Sequence, residues 1–222
     1  MEKAHRIVAA LVLVLCGVIV VFGGASVQAA SNSTFNQTIN AGTLATDIMD
    51  ASRVPVASPS VAMSAATFSF NCQTTTGTFG TNTERIYVTN PDAADNGWTL
   101  TMAATAGVTG LWSTGIDFND GTGAGCTDGA DADTRAGQLT IDPSVSTITT
   151  DCTSCTAGNI TKGSSTAFAQ GTTDSITLLN AAAGSDDIWR GYVTGIGLSQ
   201  TIPAETAAGS YSINMTLTAT AQ

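Results

Sequence analysis

The chain has 222 residues and carries 7 Lys and Arg against 17 Asp and Glu, so its formal net charge is −10 at pH 7. An acidic field of this size repels nucleic-acid phosphates and anionic lipid surfaces, which argues against nucleic acid or a membrane surface as the partner. Charged residues make up only 11% of the chain, and Thr, Ser, Ala and Gly replace the usual helix formers, so the composition favours strands.

The N-terminus has the layout of a signal peptide. Lys3 and Arg6 precede an apolar run over residues 7–22, and small residues follow. This order predicts a signal peptide over residues 1–29 and a mature chain over 30–222, with retention as an N-terminal anchor as the alternative. Cleavage removes two basic residues and one acidic residue, which leaves five against sixteen and a net charge of about −11. We therefore expect an exported protein, either extracellular or at the cell surface.

Short stretches of alternating or apolar residues follow along the mature chain, separated by Gly, Asn, Asp and Pro turns. They predict strands at 34–39, 43–49, 61–71, 85–89, 98–103, 139–141, 175–179, 189–198 and 211–219. Many short strands with frequent turns are typical of an all-β antiparallel β-sandwich. The alternation weakens between residues 110 and 173, which predicts a loop-rich insertion in a single domain over 30–222.

Four cysteines remain in the mature chain: Cys72, Cys126, Cys152 and Cys155. An even number in an exported chain predicts two disulfides, with three possible pairings. A bond between Cys152 and Cys155 would close a very small loop and constrain little of the unfolded chain. We therefore expect these two to reach back, one to Cys126 and one to Cys72, and to cross-link an insertion that cannot bury enough apolar surface alone.

Carboxylates and an amide are concentrated in two Gly-rich loops of the insertion. Six residues are candidate calcium ligands: Asp117, Asn119, Asp120, Asp128, Asp131 and Asp133. Calcium takes six to eight oxygens from such loops, although the EF-hand spacing is absent. The alternative is that these side chains only make turns by bonding to their own backbone. The sequence leaves both interpretations open.

The sequence offers few candidate catalytic residues. Its one histidine, His5, lies in the predicted signal peptide, so the mature protein has no imidazole for a nucleophile triad or a general base near neutral pH. Residues 121–125 are rich in glycine but lack the Lys that a phosphate loop requires. We expect a non-enzymatic protein without a resident organic cofactor.

Two segments resemble the signature strands of WxL-type domains on bacterial cell surfaces. The first is Trp98-Thr99-Leu100; the second begins at Tyr211, although Leu217 stands where the family has its second Trp. The resemblance implies non-covalent association with a cell-wall polymer or with other surface proteins, with Trp98, Leu100 and Tyr211 as binding residues. Alternatively, Trp98 is a core aromatic of the sandwich.

A third segment resembles another family. Thr38-Ile39-Asn40-Ala41-Gly42-Thr43-Leu44 is similar to the opening of camelysin-like biofilm matrix proteins, whose subunits join by adding an N-terminal strand to a neighbour's sheet. This resemblance implies the alternative function, a self-assembling surface or matrix fibre subunit joined by β-strand addition. A wall binder would stay monomeric and sediment with cell wall, whereas a fibre subunit would form filaments by itself.

Overall fold

The computed structural model describes residues 34, 36–91, 96–113, 115–129, 131–184 and 188–222. The chain divides into two compact units, Met1–Ile39 and Asn40–Gln222, and the strands of the described residues lie in the second. The predicted signal peptide at 1–29 lies outside the described residues. Among the described residues, no helix has the length and apolar character that crossing a membrane requires.

Short strands and three single turns of 3-10 helix make up the second unit. The strands are β1 (Ala45–Met49), β2 (Gln73–Phe79), β3 (Arg85–Asn90), β4 (Trp98–Ala104), β5 (Leu111–Trp112), β6 (Ile116–Asp117), β7 (Gln138–Asp142), β8 (Thr147–Thr150), β9 (Ile160–Lys162), β10 (Thr166–Ala167), β11 (Ile176–Ala181), β12 (Trp189–Thr194), β13 (Ile196–Ile202) and β14 (Met215–Ala221). The 3-10 turns are Gly107–Thr109, Thr122–Gly125 and Pro143–Val145.

The strands pair antiparallel in three four-stranded sheets and one small hairpin. The sheet orders are β1-β3-β12-β8, β10-β7-β13-β2 and β14-β4-β11-β9, and β5 pairs with β6. The predicted all-β antiparallel fold is therefore confirmed. The stretch at 110–173, predicted as a loop-rich insertion, contains short strands and turns, and it supplies β7, β8, β9 and β10 to the three sheets.

The core forms where alternating apolar side chains of different sheets meet. Along β4 every second residue is buried, which puts Trp98, Leu100 and Met102 on the inner face. The ring of Trp98 lies 5.4 Å from that of Trp189 on β12, so two sheets contact each other through an aromatic pair. Such a pair contributes about 0.5–1.5 kcal/mol beyond the area that it buries.

Two strand boundaries differ from prediction for local reasons. The single strand predicted at 189–198 is two strands, β12 and β13, because Gly195 between them has a φ of +80°, which turns the chain. β2 was not predicted because Thr occupies most of its positions, so its sequence does not alternate between apolar and polar residues. Its β-branched residues nevertheless favour a strand, and Thr75 is buried within it.

Three stretches with strand-like sequences lack strand pairing in the structure. Thr34 and residues 36–39 form no strand, residues 61–71 make a single bridge between Met63 and Gly77, and the last strand begins at Met215 instead of 211. Strand propensity is satisfied only where a neighbouring strand accepts the backbone hydrogen bonds. These stretches have no full-length neighbour among the described residues of the monomer.

Both predicted disulfides are present, but their pairing differs from the expected one. Cys72 bonds to Cys126, and Cys152 bonds to Cys155. The prediction was wrong because it gave priority to loop entropy, whereas the turn at residues 152–155 already places these two Cα atoms 5.4 Å apart. The Cys72–Cys126 bond ties the loop-rich stretch to the residue that precedes β2. Disulfides are typical of an oxidising, extracellular environment.

Candidate functional site

Three of the six predicted calcium ligands lie together. Asp117, Asp131 and Asp133 each offer a carboxylate oxygen, and these oxygens lie within 4.8 Å of one another. We call these three residues the acidic cluster. Calcium binds its oxygens at about 2.3–2.6 Å, so two ligands of one ion lie at most about 5 Å apart. The spacing therefore allows a shared divalent cation.

The cluster is built by two segments that the chain brings side by side. Asp117 ends the two-residue strand β6, and its backbone N–H donates to the carbonyl of Ala136 at 3.0 Å. This bond brings the segment that contains Asp131 and Asp133 alongside β6. Gly137 packs so closely on the Asp117 carbonyl that a Cβ at that position would clash. The approach therefore depends on glycine.

Asp117 is the most perturbed ionisable group of the site. Its side chain is 0% exposed, and its Oδ1 accepts from the backbone N–H groups of Phe118 at 2.6 Å and Asn119 at 3.3 Å. Its Oδ2 is buried without a hydrogen-bond partner. Burial raises the pKa of Asp117 to about 7; the neighbouring Asp133 and Asp131 also raise it, against the two backbone donors.

The remaining members of the cluster are half-buried and held by local turns. Oδ1 of Asp131 accepts from the backbone N–H of Asp133 at 3.1 Å, and Oδ1 of Asp133 accepts from Arg135 at 2.8 Å. Burial, together with nearby carboxylates, raises the pKa of Asp133 as well. Among the described residues, no Lys or Arg side chain forms a salt bridge with the cluster. Backbone N–H groups, and no salt bridge among the described residues, thus offset the mutual repulsion of the three carboxylates.

The other three predicted ligands lie outside the cluster. Both carboxylate oxygens of Asp120 already accept backbone hydrogen bonds, from Thr122 at 3.0 Å and Gly129 at 2.7 Å. Asp128 is exposed. Asn119 is buried, and its amide nitrogen donates to the carbonyl of Val108 at 2.9 Å. For Asp120 the turn interpretation fits the structure better than the metal one.

An open cleft of about 450 Å³ adjoins the acidic cluster. Asn119, Asp120 and Asp131 line it together with the backbone of Gly129 and Ala169. The Oδ1 of Asn119 is buried without a hydrogen-bond partner. Water can therefore reach the side of the cluster at which Asp131 lies.

A second concave region lies between two stretches that lack strand pairing. It is a groove of about 560 Å³ bounded by residues 61–69 on one side and residues 206–211 on the other. Its lining combines apolar or aromatic side chains with amides and hydroxyls: Val61, Met63, Phe68, Trp112, Ile116, Ile202, Tyr211, Gln73, Thr75 and Gln200. We call this region the groove.

A hydrogen-bond chain holds the floor of the groove. Trp112 Nε1 donates to Oε1 of Gln200 at 2.9 Å, and Nε2 of Gln200 donates to the backbone carbonyl of Asp117 at 2.9 Å. Gln200 is only 3% exposed, so these bonds are shielded from water. Asp117 thus belongs to the acidic cluster by its side chain and to the groove floor by its backbone.

The residues that the WxL resemblance implied for binding separate in the structure. Trp98 and Leu100 are 1% and 0% exposed, so neither offers a surface to a glycan in the folded chain. Tyr211 is half-buried, lines the groove, and its hydroxyl donates to the carbonyl of Ala207 at 2.8 Å. The structure therefore places Trp98 and Leu100 in the core and only Tyr211 at a concave surface.

Sequence reasoning did not single out the residues of the groove floor. Neither Trp112 nor Gln200 was among the residues predicted to form a site. The available signal was Gln200 itself, an amide in the middle of a strand whose neighbours at alternate positions are apolar. Trp112, which donates to Gln200 from the small β5–β6 hairpin, was not predictable, because two-residue strands leave no periodic pattern in the sequence.

Comparison of the chain with protein-family models, with curated proteins and with solved structures finds no match in any of the three. The two family resemblances therefore stay predictions.

Proposed function

We propose that the chain is an exported, non-enzymatic cell-surface protein that acts by association, and that it self-assembles by β-strand addition. In this proposal, residues 36–41 of one copy, which precede the bond of the Gly42 N–H to the carbonyl of Pro91 in their own copy, occupy the groove of another. Each copy then carries one donor segment and one acceptor groove, so the copies join head to tail. Such a contact produces filaments when it does not close into a ring.

The observation that carries the proposal is the groove, with its two bounding stretches left without strand partners. β2 pairs with β13 on one side. Its other side bonds to residues 61–69 around Ser64, whose N–H donates to the carbonyl of Thr76 at 2.7 Å, and through the side chain of Gln73, which donates to the carbonyl of Thr67 at 2.8 Å. Residues 211–214 are likewise outside any strand, although the carbonyls of Ser212 and Asn214 accept from loop N–H groups. The other backbone groups of residues 65–68 and 208–211 are available to an added strand.

The donor segment has the complementary properties. Residues 36–43 are exposed and form no strand, and Ile39 is 88% exposed. Thr38 and Ile39 are β-branched, which favours extended backbone. An exposed Ile next to polar Asn and Thr has little to stabilise it in the monomer, whereas its burial in an apolar groove would contribute about 1.5–3 kcal/mol.

Association with a cell-wall polymer is the second candidate, and Tyr211 favours it. Tyr211 and Trp112 line the groove beside the amides of Gln73 and Gln200. Aromatic faces next to a few fixed polar groups are the usual composition of a small-ligand site of this volume. A glycan chain and an added strand would then compete for one groove.

A structural calcium ion at the acidic cluster belongs to the same proposal. Extracellular calcium modules work with dissociation constants of about 10⁻⁴–10⁻³ M and take their oxygens from loops. The cluster supplies carboxylates from such a loop at a spacing that one ion can bridge.

Microscopy of designed variants tests the assembly. Ile39→Asp places a charge in the donor segment, and we expect it to abolish filaments that the unchanged mature protein forms in negative stain. Ile188→Asp is the matched control, because Ile188 is 60% exposed and lies in neither the donor segment nor the groove lining. Ala208→Arg, which fills the groove, should act like Ile39→Asp.

Each outcome separates the candidates. Filaments that survive both Ile39→Asp and Ala208→Arg would refute strand addition into this groove. A protein that stays monomeric and sediments with purified cell wall, and that loses sedimentation in Ala208→Arg but not in Ile39→Asp, would favour the polymer-binding alternative.

A further inference from the structure

We infer that Asp117, Asp131 and Asp133 form a calcium site that braces the floor of the groove, so that calcium strengthens assembly. The link to assembly rests on the proposed function, whereas the site itself does not. Three features support the site: the buried, unpartnered oxygen of Asp117, the donor set around it, and the hydrogen bonds that join Asp117 to the groove.

The first feature is the buried, unpartnered oxygen of Asp117. Oδ1 is already bonded to two backbone N–H groups, while Oδ2 is buried with no partner in a side chain that is 0% exposed. A buried carboxylate oxygen without a hydrogen-bond partner is unfavourable, because it has lost its water without gaining a donor. A divalent cation would satisfy Oδ2 and would also remove the repulsion from the two neighbouring carboxylates.

The second feature is the chemistry of the donor set. Three carboxylates and no imidazole or thiolate are hard oxygen donors, which suit calcium rather than zinc or copper. Oδ1 of both Asp131 and Asp133 holds a turn N–H, and each has a second oxygen. The adjoining cleft, lined by Asp131 and Asn119, gives room for the waters that complete a coordination number of six to eight.

The third feature is the path from the ion to the groove, which runs through one residue. An ion bridging Asp117 to Asp131 and Asp133 would lock the loop onto β6. The backbone carbonyl of Asp117 accepts from Gln200, which in turn accepts from Trp112, and the residue before it, Ile116, lines the groove. Fixing Asp117 would therefore fix the floor on which an added strand has to rest.

Calorimetric titration with CaCl₂ tests the site in the Ile39→Asp background, in which the protein is expected to stay monomeric. We expect one calcium per chain, and at least about tenfold weaker binding of MgCl₂, because magnesium demands tighter octahedral geometry. Asp131→Asn with Asp133→Asn should weaken calcium binding at least about tenfold, since each Asn keeps an oxygen for its turn but loses the charge.

Asp128→Asn is the matched control, because it removes an exposed carboxylate from the same loop that lies outside the cluster. It should weaken calcium binding much less than the double change does, because Asp128 acts on Asp133 only through its charge. The site is overturned by no calcium binding in the millimolar range, by binding that survives the Asp131 and Asp133 double change, or by an equal loss in Asp128→Asn. Equal affinity for magnesium would overturn the assignment to calcium.

The link to the groove is read separately, from filament formation by the chain with Ile39 intact. Calcium should lower the protein concentration at which filaments form, and the double change should abolish that shift. Calcium binding without any effect on filament formation would overturn the link and leave the site standing. Absence of filaments at all calcium concentrations would overturn the proposed assembly, while the titration would still decide the site.

Discussion

Because of Asp117, the cation-free protein should become less stable as the pH rises from about 4 to about 7. Its pKa is raised from the ordinary value of 3.8 to about 7, chiefly by burial. Between these pH values the folded chain keeps the proton while the unfolded chain loses it. The contribution of Asp117 to stability is therefore complete below about pH 4 and is lost as the pH rises to about 7.

The magnitude follows from the size of the pKa change. At about 1.36 kcal/mol for each pH unit, the loss over this window is on the order of 4 kcal/mol. Asp117 is fully buried, so solvent screening does not reduce this figure much. A loss of that size is a large fraction of the stability of a typical domain, which is about 5–15 kcal/mol.

Urea unfolding followed by circular dichroism at several pH values between about 4 and 8, in the presence of a chelator, measures this dependence. Asp117→Asn cannot ionise, so the fall in the free energy of unfolding should be smaller in that variant by about the same amount. Asp47→Asn, which changes an exposed carboxyl on β1, should retain the fall. Saturating calcium should also flatten the curve, because the ion holds Asp117 ionised.

Identical pH dependence in the unchanged protein and in Asp117→Asn would contradict the raised pKa of Asp117. A rise in stability between pH 4 and 7 that is larger in the unchanged protein than in Asp117→Asn would refute the sign as well, since it would mean that the folded state prefers the ionised form.

Three further predictions concern the core and the cross-links. Trp98→Ala should lower the free energy of unfolding by about 3–5 kcal/mol, because Trp98 is 1% exposed and packs on Trp189. The control Phe70→Ala should change it by less than about 1 kcal/mol, because Phe70 is 75% exposed. Equal effects of the two changes would contradict the burial of Trp98. Replacing both Cys72 and Cys126 by Ser should lower the free energy of unfolding by about 4 kcal/mol, because their bond closes a long loop with a sequence separation of 54. The same change at Cys152 and Cys155 should lower it by only about 1–2 kcal/mol. Denaturant titration that gives the reverse order would contradict the chain-entropy explanation. The mature chain should contain no free thiol, so mass spectrometry after alkylation under denaturing, non-reducing conditions should find no adduct, and two or more adducts would contradict the pairing.

The parts of the fold that the sequence predicts are those with strict alternation. β4 was placed almost to the residue because Trp98, Leu100 and Met102 alternate with Thr and Ala, and only one register buries all three. β2 escaped prediction because Thr can occupy either face. The disulfide pairing escaped because pairing depends on which Cα atoms the folded chain brings together, and loop length alone does not determine that.

The candidate site was predictable in its residue types but not in its membership. Six oxygen-bearing residues stood in the right loops, yet the turn at residues 120–129 occupies both oxygens of Asp120 and leaves Asp128 exposed. The distinction between turn and ligand depends on which backbone N–H groups each carboxylate meets, and these are set by the fold. The groove was not predictable at all, because it lies between stretches that are distant in sequence.

Cross-linking between two copies of the chain tests strand addition most directly. One preparation carries Ile39→Cys in the donor segment, and the other carries Ala208→Cys in the lining of the groove. When the two are mixed and oxidised, we expect a disulfide-linked dimer on a non-reducing gel, at a level well above that from Ile188→Cys mixed with Ala208→Cys. Equal amounts of dimer in the two mixtures would rule out strand addition into the groove, because residue 39 of one copy would then have no preference for the groove of another.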